Sequence, residues 1–279
     1  MVRVKVKADY IYPYGRGFIF YTDKEWKHGI VEINEKYITV YGTSETVKIP
    51  LLYIVSVDRK VTLPPLREGR AFFLVEHYCY KIKDKLYLLI SGYEENVRLL
   101  KKALLCNLTN NVTILYRTEK DWKKGYMVVE NNNIVFKPEG LEIKPHAIVK
   151  VERRAVTFGL NKVGAIYIEY KTDDEEVREI YLLINPAKRD FFWKLINLVI
   201  DEHLNKYVIS QLTGEERMIL YMVKAGASVQ EILEKLHLTP NEFRKMMDKL
   251  EDLGLIKRII ILQLTDRGRK VVDFIPESS

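Results

Sequence analysis

A chain of 279 residues with 47% apolar side chains has room for two or three domains of about 100 residues, each with its own core. No run of about 18 apolar residues is present to form a helical membrane span, and the opening MVRVKVK lacks the apolar stretch of a signal peptide, so a cytoplasmic, non-exported protein is expected. The net charge of +7 is uneven: residues 1–105 hold 18 basic and 12 acidic side chains (+6), residues 106–204 hold 15 of each, and residues 205–279 hold 12 and 11 (+1). Cys79 and Cys106 form no CxxC pair, in keeping with a reducing compartment, and the Lys/Glu-rich, Gln-poor balance is the one hyperthermophile proteins favour.

Val2, Val4 and Val6 alternate with Arg3, Lys5 and Lys7, the period-two pattern of a strand with one buried and one solvated face. Further strands are predicted at residues 30–33, 37–41, 46–49, 53–58, 71–75 and 86–90, separated by turn residues. The period then becomes helical, with Val97, Leu100 and Leu104 on one face. After this helix the plan repeats. TDKEWKHG (22–29) returns as TEKDWKKG (118–125), IVSVDRK (54–60) as IVKVERR (148–154), and YLLI (87–90) at 181–184. Three ordered blocks at nearly one spacing make the first two-thirds of the chain a tandem duplication, with a period too long for a solenoid repeat. Strands of the second copy are predicted at 126–129, 134–137, 148–152, 165–170 and 179–184, with a closing helix at 186–202.

Hairpin-linked strands followed by one helix describe a pleckstrin-homology-like or GRAM-like sandwich, expected once over residues 1–106 and again over 107–205. Trp26 and Trp122 read as core anchors, with Gly29 and Gly125 bending a strand, or else as a binding platform. Arg3, Lys5 and Lys7 read as a docking stripe for an acidic partner or anionic surface, or as a charged edge. The second closing helix is apolar nearly all round, so Phe191, Phe192, Trp193 and Ile196 are expected to make a homodimer or interdomain contact.

From Leu212 the pattern is one of short helices. Thr213 precedes the first, Ser228 caps the second, and Thr239 with Pro240 and Glu242 forms a capping box on the third. Two short wing strands (255–258 and 261–264) and a last helix (265–272) complete a winged helix-turn-helix over residues 210–279. Its cationic partner-binding set is Arg244, Lys245, Lys249, Lys257 and Arg258, but Glu242, Asp248, Glu251 and Asp252 share the third helix. A domain at +1 lacks the footprint to neutralise several phosphates, which favours a protein partner over DNA.

Catalytic and metal signatures are lacking: the five histidines stand apart, the glycines of 159–164 precede no GK[ST], and the acidic run 173–176 reads as a solvated hairpin tip rather than as a cation site. No enzyme activity, metal or cofactor is expected. The overall fold class is α+β.

Tandem strand-rich repeats carrying Trp-Lys-x-Gly at Trp26 and Trp122, followed by a winged helix, resemble the archaeal taxis adaptor family CheF along essentially the whole chain. The resemblance implies a non-catalytic chemotaxis adaptor that binds phosphorylated CheY and passes its state to the archaellum switch proteins, with CheC and CheD as further contacts. The alternatives are a winged-helix DNA-binding transcription regulator whose repeats serve as sensor or dimerisation modules, and a membrane-associated scaffold that sets its first repeat on anionic lipid.

Overall fold

The computed structural model of the chain describes residues 2–12, 26–58, 70–118, 121–253 and 255–256. The chain forms two compact units, Met1–Leu204 and Asn205–Ser279. The class is mixed α+β, and the described strands form two seven-stranded antiparallel sheets.

The first sheet contains β1 (Val4–Ile11), β2 (Lys27–Ile33), β3 (Tyr37–Gly42), β4 (Thr46–Pro50), β5 (Ile54–Val57), β6 (Ala71–Cys79) and β7 (Asp84–Gly92), followed by α1 (Glu94–Thr109). Its order is β4-β3-β2-β1-β7-β6-β5. The second copy repeats it with β8 (Ile114–Arg117), β9 (Lys123–Glu130), β10 (Asn133–Lys137), β11 (Leu141–Ile143), β12 (Ile148–Phe158), β13 (Asn161–Lys171) and β14 (Val177–Leu183), in the order β11-β10-β9-β8-β14-β13-β12. Here the closing helix is α2 (Pro186–Gln211), which runs beyond the expected end at 202. Local irregularities recur too. A 3-10 turn (Leu51–Tyr53, Pro145–Ala147) precedes each fifth strand, and a bulge at Val55 or Val149 follows it.

Alternation in β1 produces the expected two faces up to Lys7, with Arg3, Lys5 and Lys7 exposed. From Ala8 to Ile11 every residue is buried, because the outer face there carries a second apolar cluster of Ile11, Leu74, Tyr87 and Leu89. Trp26 packs half-buried on that outer cluster, and Trp122 meets Phe158 edge-on at 5.6 Å. Neither tryptophan lies in the main core, so the core-anchor expectation is corrected. Tyr10 and Tyr116 fill that place, fully buried at the centre of each sheet. Gly29 and Gly125 then have a reason other than bending. A Cβ on Gly29 would lie 2.7 Å from the Tyr41 carbonyl and 3.0 Å from the Tyr10 ring, and Gly125 is bounded in the same way by the Lys137 carbonyl and the Tyr116 ring.

The repeated YLLI block is also corrected in register. Tyr10 pairs with Ile90 and Tyr116 with Leu182, so Leu89 rather than Tyr87 stands where Tyr181 stands. A slide of two residues leaves every side chain on its original face, so the hydrophobic pattern does not resist it.

One apolar core runs through both copies. Val97, Leu100, Leu104, Leu105 and Leu108 of α1 enter it, and α1 packs on β9 of the second copy as well as on its own sheet. Phe191, Phe192, Leu195, Ile196 and Val199 enter it from α2. Lys102 of α1 pairs with Glu202 of α2, and Lys194 of α2 donates to the Val57 carbonyl of the first copy. Phe191, Phe192 and Ile196 are thus enclosed by their own unit and offer no surface to a second molecule, which corrects the homodimer expectation; the contact they make is within the core shared by the two copies. Only Trp193 of that set stays half-exposed, with the Arg153 guanidinium 4.9 Å above its ring.

In the second unit, α3 (Gly214–Lys224), α4 (Val229–Leu236) and α5 (Pro240–Asp252) surround Leu212, Ile219, Met222, Ile232 and Leu250. Each helix begins with a reciprocal capping box: Thr213 with Glu216, Ser228 with Glu231, Thr239 with Glu242. His237 in the left-handed conformation (φ 53°) turns the chain from α4 into α5. The expected wing beyond 256, the last helix, and Lys257 and Arg258 lie outside the described residues.

Candidate partner-binding surfaces

Four strands, β1 to β4, present one outer face to solvent in the first copy. Their register places Lys5 opposite Glu32, Glu32 opposite Thr39, and Thr39 opposite Lys48. Glu32 is 4% exposed although it lies on the outer face. Arg3 covers it with Nε and NH2 each 2.9 Å from Oε1, and the Tyr41 hydroxyl donates to Oε2 at 3.3 Å. A carboxylate buried this deeply needs its cation, because an unpaired buried charge is costly. Arg3 is therefore committed to the fold first and to a partner second.

The other cations of this face are disposed differently. Lys5 lies 5.2 Å from the centre of the Tyr41 ring, and Lys48 lies 4.0 Å from that of Tyr37. Among the described residues, neither they nor Lys7 has a carboxylate partner. The ring quadrupole steadies an ammonium without neutralising it, so the positive field stays directed outward. Beside them lies a cleft of about 490 Å³ lined by Arg3, Glu32, Glu35, Lys36, Tyr37 and Lys48. At the far end of β1, His28 Nδ1 donates to Asp9 and Lys27 pairs with Glu45, so the polar groups there have partners within the chain. Sequence reasoning found Lys5 and Lys7 but missed Lys48, Tyr37 and Tyr41. The alternation of Thr46, Val47, Lys48 and Ile49 already places Lys48 outward, yet its neighbourhood with β1 emerges only from the sheet order.

In the second unit Arg244 and Lys245 are exposed on α5. Lys249, expected beside them at the partner surface, instead ties α5 to the rest of its unit. Its ammonium donates to Glu216 at 2.8 Å and to the Gln211 carbonyl at 2.9 Å. Burial pushes the Glu216 carboxyl up, but Lys249 and the Thr213 cap outweigh it and hold the group below the usual carboxylate range. Glu242 is likewise taken up by its cap on Thr239.

The acidic run of the second copy forms the turn between β13 and β14. Asp173 pairs with Lys144, Glu175 with Lys171 and Glu176 with Arg178, all at the surface. No group of three or more His, Cys, Asp or Glu poised to hold a metal ion is found among the described residues. No described helix is long and apolar enough to cross a membrane. Compared with known protein-family profiles and with curated proteins, the sequence matches none.

Proposed function

We propose that the chain is a non-catalytic taxis adaptor, built from two pleckstrin-homology- or GRAM-like repeats and a winged helix-turn-helix, which links activated CheY to the archaellum switch. Two fold observations support the architecture. Each sheet runs outward from its first strand to the fourth on one side and from the seventh to the fifth on the other, with one helix closing it. The α4–His237–α5 turn with its preceding α3 matches the three helices expected of a winged helix.

The observation that carries the functional reading is the outer face of β1–β4, where Lys5, Lys7 and Lys48 point outward without carboxylate partners among the described residues. Such a face suits an acidic protein surface, and in this reading it docks the motor component. The mixed charge around Arg244 and Lys245 suits a receiver domain, whose two phosphorylation states the adaptor has only to distinguish. A tenfold preference needs about 1.4 kcal/mol of differential contact.

Calorimetric titration with CheY, with and without beryllofluoride as the phosphoryl mimic, tests this. Tighter binding of the activated form, weakened by Arg244→Glu with Lys245→Glu, is the expected result. Absence of binding in both states, together with steeply salt-dependent binding to duplex DNA, would replace the adaptor by a DNA-binding regulator.

A further inference from the structure

The duplication supplies an internal comparison, because one scaffold carries two different surfaces at equivalent positions. The 3-10 turn before the bulged fifth strand reads Leu51-Leu52-Tyr53 in the first copy and Pro145-His146-Ala147 in the second. The turn between the sixth and seventh strands of each copy carries Tyr80, Lys81, Ile82 and Lys83 in the first, and Asp173, Asp174, Glu175 and Glu176 in the second. Both sets sit on the same turn and the same bulge, so the fold requires neither.

In the first copy Tyr53, Tyr78 and Tyr80 meet in one facet, with Leu52 and the turn residues Lys81, Ile82 and Lys83 next to them in the chain. The Tyr80 ring stands edge-on to Tyr53 at 4.7 Å and to Tyr78 at 4.9 Å, and each ring limits the freedom of the next. Leu52 is 81% exposed and Tyr80 63%, with Val55 and Ile82 exposed beside them in sequence. Lys81 and Lys83 are exposed at the same turn and have no carboxylate partner among the described residues. Large apolar side chains clustered at this exposure mark a contact surface, since isolated ones are ordinary but a patch is not.

We propose that this facet docks peripherally on an anionic membrane, with the tyrosines, Leu52 and Ile82 in the headgroup boundary and Lys81 and Lys83 on lipid phosphates. The facet combines apolar and cationic groups at the end of a hairpin. A purely acidic protein surface would satisfy the lysines but leave Leu52 and Ile82 against charge. An anionic bilayer offers phosphate and hydrocarbon a few ångströms apart, and tyrosine rings and lysine stems favour that boundary. The +6 balance of residues 1–105 adds long-range attraction to the same surface.

The test is co-sedimentation of the full chain with vesicles of phosphatidylserine mixed into phosphatidylcholine, and with phosphatidylcholine alone. The wild type is expected to sediment with the mixed vesicles only. Leu52→Ser with Ile82→Ser keeps the net charge and should lower association by about tenfold, and Lys81→Glu with Lys83→Glu should lower it further. All four positions are exposed, so thermal melts should match the wild type. No association with either vesicle overturns the proposal, as does association that Leu52→Ser with Ile82→Ser leaves unchanged. A wild type that ignores vesicles but self-associates through this facet, becoming smaller when Leu52 and Ile82 are replaced, would assign the facet to a second copy and also overturn it.

Discussion

Gly125 lies under the Tyr116 ring and beside the Lys137 carbonyl, and Gly29 lies under Tyr10 beside the Tyr41 carbonyl. In both places the tyrosine can cross the neighbouring strand only where no Cβ stands. Gly125→Ala should therefore cost about 1–3 kcal/mol, and more than Gly29→Ala, because the carbonyl approaches the added methyl more closely in the second copy. Thermal denaturation of the two variants measures the difference. The repeated Trp-Lys-x-Gly showed that these glycines matter, but not why, since Tyr10 and Tyr116 lie upstream of the matched block. His77 provides a second test at this scale. It is buried on β6, hydrogen-bonded to the Tyr12 hydroxyl at 3.1 Å, and burial holds its pKa below the ordinary 6.5. The unfolded chain then takes up a proton that the folded chain refuses. Stability is retained above the unfolded pKa and lost as pH falls through it toward the depressed folded value. Lowering the pH from about 7.5 to about 5.5 should lower the melting temperature of the wild type more than that of His77→Gln. Equal shifts would show that His77 is not the titrating group.

Among the elements, the caps and the pair between α3 and α5 govern the second unit. Capping boxes at Ser228 and Thr239 follow from residue spacing alone, because a Ser or Thr three residues before a Glu has few better uses at a helix start. Thr239→Ala should cost about 1 kcal/mol in chemical denaturation followed by far-ultraviolet circular dichroism. The role of Lys249 was not legible, since its partners Glu216 and Gln211 are distant in sequence and it reads as one more surface cation. Glu216 has its folded pKa depressed, so its contribution is present above the unfolded pKa and is lost as pH falls through the folded one. Lys249→Met leaves that buried carboxylate without its cation. The expected result is a loss of about 1–3 kcal/mol at neutral pH and an acid transition of this unit beginning at higher pH than in the wild type. The strands of the first copy were likewise readable from alternation and turn residues, whereas β8 and the three-residue β11 of the second were not expected, and the two-residue slide of YLLI was hidden because alternation is blind to even shifts.

For the whole molecule, duplication suggested two separate strand-rich domains, yet one core passes through both copies. α1 closes the first sheet and at the same time packs on β9 of the second, and Lys194 reaches from α2 to the backbone of β5. Exposing either copy alone would uncover apolar side chains that it cannot bury by itself, so the free energy of the two folds is shared. The three tryptophans make this measurable. Trp26 rests on the outer cluster of the first copy, whereas Trp122 and Trp193 belong to the second. Variants retaining Trp26 alone, or Trp122 alone, with phenylalanine at the other two positions, report the copies separately by fluorescence. Coincident thermal transitions are expected in each variant when fluorescence is compared with circular dichroism of the strands, as all-or-none unfolding requires. Phe191→Ala, which removes a fully enclosed ring from this core, should lower both reporters together by a loss of about 3–5 kcal/mol. If Trp26 keeps its transition while Trp122 loses its own, the copies unfold independently and the continuous core contributes no cooperativity between them.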